Sequence, residues 1–162
     1  MATPPRSTRR STAGDDPDGA TRSWLSVVRA YHHCSELMAR RLAALGVRTA
    51  EHEILANLRR EPGLGQQALA ARCFTAKSHI SGLLTELEQR GWVRREPDPD
   101  DARAKRLFLE PAGARLAERT AAVQAEVVAL MTQGTPREEL ARVQAAMAAV
   151  SERLQQALAG ER

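Results

Sequence analysis

The stretch 66–109, QQALAARCFTAKSHISGLLTELEQRGWVRREPDPDDARAKRLFL, decides the fold. QQALAARC sets Leu69 and Cys73 one helical turn apart, enough for one short buried stripe. A break around Phe74 and Thr75 follows, of roughly three or four residues. AKSHISGLLTELEQRG then places Ala76, Ile80, Leu83, Leu84 and Leu87 at a helical period and stops at Gly91. WV and LFL are short strand-like runs on either side of a charged turn with two prolines. Helix, tight turn, helix and charged hairpin form the layout of a winged helix-turn-helix, whose second helix enters the major groove of DNA.

Near the start of that second helix stand Lys77, Ser78, His79 and Ser81, short or cationic groups where backbone N–H groups favour phosphate and side chains reach base edges. A solvated helix face is an equally good reading of these four alone. The hairpin adds Arg94, Arg95, Arg103, Lys105 and Arg106, more cations than a purely structural turn requires. Asp101, two residues before Arg103, is placed to hold that guanidinium extended. From Leu69 to Glu110 there are eight Lys or Arg against seven Asp or Glu, so binding must rest on segregated rather than bulk charge.

With these motifs in hand, the segment from GLGQQALAARC to LFLEPAG resembles the MarR family of bacterial transcriptional regulators. A Leu-Ala helix, a Lys-Ser-containing second helix, the Leu-Glu-Gln-Arg-Gly-Trp-Val link and the Asp-Ala-Arg wing carry the likeness, which extends without gaps from about Trp24 to Leu158. The resemblance implies a homodimer whose terminal regions interleave across a two-fold axis, a double-stranded palindromic operator, and a small-molecule effector. It places the wing's minor-groove arginine on Arg103 and its orienting acid on Asp101. Gly82, Glu86, Ala102 and Glu110 depart from the family pattern, each removing a cation or a cap.

A chain of 162 residues with 43% apolar content is long enough for one domain with arms. Its net charge of +4 permits nucleic-acid binding without demanding it. Two Trp, one Tyr and two Phe leave a core to be built from Leu, Val and Ala, which suits helices. The expected fold class is mainly α: a winged helix-turn-helix with a small β-hairpin wing and a helical dimerisation region. Residues 1–20 read as a disordered tail, 21–46 as a dimerisation helix, 47–110 as the winged DNA-binding domain and 111–162 as C-terminal dimerisation helices. Within these, a helix from Trp24 to Leu45 carries Trp24, Val27 or Val28, Tyr31, Cys34, Met38, Leu42 and Leu45 on one face and ends at Gly46. A second runs from Thr49 to Arg60 with Ile54, Leu55 and Leu58 inward. The next starts at Pro111, with Leu116, Val123, Val127 and Leu130 as its stripe. Thr135-Pro136-Arg137-Glu138 matches a capping box, and Leu140, Val143, Met147, Val150, Leu154 and Leu158 form a coiled-coil-like seam.

No cofactor and no metal site are expected. There is no phosphate loop, nucleophile elbow or CxxC, so no enzyme class is indicated. The third long helix has no His or Cys to complete a zinc set with His32, His33 or His52. Cys34 and Cys73 lie on apolar stripes, where a thiol is usually an inert small hydrophobe. Two cysteines without metal spacing and no apolar run of about 20 residues point to a reducing cytoplasm, with no membrane partner, and the resemblance implies a bacterial one. His52 falls where the resemblance implies a buried aromatic residue, so it needs a partner or lines a cavity. With Trp24, Arg29, His32 and His33 it forms the candidate site for an aromatic, anionic effector. The expected function is a homodimeric repressor released by such an acid. An effector-independent architectural DNA binder, or a redox- or metal-responsive regulator acting through Cys34 or the histidines, remains open.

Overall fold

The computed structural model describes residues 17–73, 77–101 and 104–161. Its elements are α1 (Pro17–Ala43), α2 (Thr49–Arg60), β1 (Leu64–Gly65), α3 (Gln66–Arg72), α4 (Lys77–Gln89), β2 (Val93–Pro97), β3 (Lys105–Leu109), α5 (Pro111–Thr132) and α6 (Arg137–Gly160). The fold is mainly α, with one antiparallel sheet of order β1-β3-β2.

The apolar periods dictate the packing. Ile54 and Leu58 of α2 meet Leu69 of α3, Ile80, Leu83, Leu84 and Leu87 of α4, and Val93 and Leu107 of the sheet in one buried cluster. Each such side chain contributes about 1.5–3 kcal/mol by leaving water. Leu55, on the other side of α2, joins Leu42, Val47, Leu116 and Ala117 in a second cluster that ties α1 to α5. The helix α2 is therefore a partition between the winged part and the long helices. Gly46 and Gly91, at φ +70° and +66°, end α1 and α4 in the same way. Past each glycine the chain folds back, so that the Val47 N–H reaches the Leu42 carbonyl at 3.1 Å and the Trp92 N–H the Leu87 carbonyl at 2.9 Å.

Several expectations are corrected. α1 begins at Pro17, so residues 17–20 are its first turn rather than tail; Pro17 pre-sets the backbone and Asp18 suits the helix dipole. Residues 1–16 lie outside the described residues. Of the α1 stripe only the C-terminal end turns to the body, with Leu42 buried while Trp24 and Tyr31 remain 62% and 73% exposed. Leu130 of α5 is exposed too, whereas Leu116 and Val127 are buried. The capping box before α6 does not form: Pro136 is the N-cap, its carbonyl accepting Glu139 and Leu140 N–H groups at 3.0 and 3.1 Å. The hairpin gains a third strand, with Leu64 opposite Leu107 and Gly65 opposite Arg106.

Candidate nucleic-acid interface

On α4 the residues Ile80, Leu83, Leu84 and Leu87 are buried and His79 and Ser81 exposed. At 3.6 residues per turn, Gly82, Thr85 and Gln89 fall at the centre of the exposed strip. Lys77 opens the helix and Ser78 follows it, but their side chains lie outside the described residues. The sequence reading passed over Thr85, whose hydroxyl donates to the Ser81 carbonyl at 3.1 Å and holds that strip's surface in place. Helical spacing from Ile80 would have found it.

The wing divides its cations. Arg94 donates to Glu96 at 2.8 Å and to the Leu109 carbonyl at 3.2 Å, with its guanidinium 4.9 Å from the Phe108 ring. Arg95 pairs with Glu88 of α4, and Arg106 donates to the Gly63 carbonyl at 3.2 Å. Three of the five cations counted from sequence are thus engaged, Arg94 within the wing and Arg95 and Arg106 against the body, and the count alone overstated the charge available to a ligand. Lys105 is exposed at the start of β3. Arg103 lies outside the described residues, so its pairing with Asp101 does too. Asp101 is exposed, its carbonyl accepting the Ala104 N–H at 2.9 Å and narrowing the tip. A hollow of about 630 Å³ between the wing and α3 is lined by Gln66, Gln67, Asp101 and Lys105. Gln66 and Gln67 are further polar candidates that the apolar-stripe reading of α3 hid.

The proposed ligand set is not brought together. Trp24, Arg29, His32 and His33 are exposed on the free half of α1, the two imidazoles 6.0 Å apart. His52 is 5% exposed on the body side of α2 and lines a groove of about 350 Å³ with Asn57, Arg60, Arg72 and Gln124. Burial lowers its pKa below the usual histidine value, against the hydrogen bond with Gln124. Its Nδ1 has no hydrogen-bond partner among the described residues. Cys73 is buried, and burial together with Glu53 pushes its thiol up to about 11, which leaves it unreactive. Among the described residues there is no group of His, Cys, Asp and Glu fit to hold a metal ion, and no helix long and apolar enough to cross a membrane.

Residues 48–105, from the start of α2 to the start of β3, match the model of the MarR family. Over that stretch the chain is similar to the MarR family. AbsC, a MarR family transcriptional regulator from Streptomyces coelicolor, is 26% identical, with a TM-score of 0.75 over 92% of this chain and 99% of its own. The chain also shares its fold with S. aureus MepR, solved as a DNA complex, at 21% identity and a TM-score of 0.71 over 80% of this chain and 96% of MepR. The transcriptional regulator HosA of Escherichia coli O111:H- is 30% identical over 66 residues, 41% of this chain. The chain spans about half the length of that curated relative, 49%.

Proposed function

We propose that this chain is a sequence-specific DNA-binding transcriptional regulator, a repressor acting as a homodimer on a palindromic operator. The observation that carries the reading is the exposed polar strip of α4, seated on a helix-turn-helix and flanked by a wing, within a stretch similar to the MarR family. Lys77, Ser78, His79 and Ser81 face base edges and phosphates, Arg103 and Lys105 the neighbouring groove, and Arg94, Arg95 and Arg106 hold the wing at the right height. The dimer is supported by α6, which buries none of its residues against its own protomer.

The test is to sequence the fragments the protein selects from its own genome, then to measure variants on the selected site. Lys77→Ala and His79→Ala should change the preferred sequence, by about 1–3 kcal/mol per lost base contact. Arg103→Ala should weaken specific and random DNA alike, because a wing arginine reads groove shape and phosphate. Equal affinity for selected and random duplexes would leave only an architectural binder.

An effector completes the proposal: a small aromatic acid in the His52 groove, its carboxylate facing Arg60 and Arg72. The groove's size suits one ring, and His52 forms part of its wall. Such a ligand releases DNA only if it prefers the non-binding geometry. A panel of benzoates and phenols, scored by melting temperature and operator release, checks this. Stabilisation that is equal in wild type and His52→Phe would place the site elsewhere.

A further inference from the structure

Glu51 is a carboxylate with no exposure to solvent, a costly position that needs full compensation. Arg48, just before α2, donates to Oε1 from Nε at 3.0 Å and from Nη2 at 2.7 Å, and its backbone N–H donates to Oε2 at 2.7 Å. Arg90, immediately beyond α4, donates from Nη1 to Oε1 at 2.9 Å. Its other terminal nitrogen reaches the Gly46 carbonyl at 3.2 Å, and its guanidinium lies 3.5 Å from the centre of the Trp92 ring. Arg48 also pairs with Glu86, one turn before Arg90 on α4, and these bonds raise the Arg48 pKa above its ordinary value.

One buried carboxylate therefore joins the end of α1, the start of α2 and the last turns of α4. The buried side of α4 is aliphatic, and aliphatic packing is non-directional; the other charged tie of the helix, Glu88 to Arg95, runs to the wing and not to the body. Charged hydrogen bonds with fixed forks set both distance and angle. We infer that Glu51 is the positioning residue of α4: through Arg48 and Arg90 it fixes where that helix sits, and so how well the protein tells its operator from other DNA. This rests on the reading of α4 as the DNA-reading helix. Glu51 itself touches no DNA. Glu86, which stood out in the sequence as a missing cation, is the outer half of this clamp.

The charge can be removed without burying another, because the Arg48 and Arg90 side chains are 58% and 40% exposed and hydrate when released. The experiment compares full-length wild type with Glu51→Gln on the genome-selected operator and on a random duplex of equal length and salt. Operator affinity should fall about tenfold or more while random-DNA affinity stays within about twofold. In the DNA-free protein, amides of the second half of α4 should exchange about tenfold faster, with those of α5 unchanged. Should Glu51→Gln not fold, Arg90→Lys carries the same expectation, since it keeps the charge but loses the fork spanning Glu51 and Gly46. An unaltered discrimination ratio, or an equal loss on both DNAs, overturns the inference. If wild type binds no DNA, the DNA-binding reading falls, and α4 exchange alone decides the clamp.

Discussion

His52 sits 5% exposed with Nδ1 unpartnered among the described residues, and that has a consequence for acid stability. Its pKa in the folded chain lies below the ordinary 6.5, because burial penalises the imidazolium. Above that ordinary value both states are neutral and the full stability is present. As pH falls below it, the unfolded chain takes up a proton the folded one resists, so stability declines until the lowered folded pKa is passed. Melting temperatures at pH 7.5 and about 5 should fall further for wild type than for His52→Phe; parallel curves would mean the ring is solvated. The sequence showed that His52 needed a partner or a cavity. It could not show that Arg94, Arg95 and Arg106 are tied down, because Leu109, Glu88 and Gly63 reach them only through the fold.

The helix α2 was legible to the residue, since Thr49 and Arg60 bound a clean apolar period closed by Glu61-Pro62-Gly63. The two-residue β1 was not, because so short a strand has no period to read; it exists only through pairing with β3. The start of α5 shows how one atom governs a junction between elements. A Cβ on Gly113 would lie 1.9 Å from the Trp92 carbonyl oxygen, which itself accepts the Glu110 N–H at 2.9 Å. Neither backbone can yield without breaking the link between β2 and α5. Gly113→Ala should cost on the order of 3 kcal/mol, by analogy with severe overpacking, measurable as a lower urea midpoint. A midpoint equal to wild type would show that α5 can shift along the sheet.

Across the whole molecule, α6 presents Val143, Leu154 and Leu158 to solvent at 57%, 60% and 62% exposure. Val27 and Val28 of α1 and Val128 and Met131 of α5 are exposed as well. Apolar surface of that extent marks an association site. The seam was visible in the sequence, but period alone cannot distinguish a partner helix from the chain's own core; the bare α6 removes the second option. Val150→Asp with Leu154→Asp should shift sedimentation to the monomer while the winged part stays folded. A dimer of unchanged affinity would put the interface on another face.

The stacking of Arg90 on Trp92 gives the molecule an optical property. An indole's excited state moves charge across its rings, so a guanidinium held 3.5 Å away tunes the colour of its emission. Trp24, the second and last tryptophan, is 62% exposed and emits as a hydrated indole open to quenchers. The two fluorophores are thus tuned by different events: Trp24 is shielded from acrylamide only when a partner covers α1, and Trp92 changes colour only when Arg90 lifts. With Trp24→Phe the remaining emitter reports the seating of α4 by itself, in the unlabelled protein and in real time.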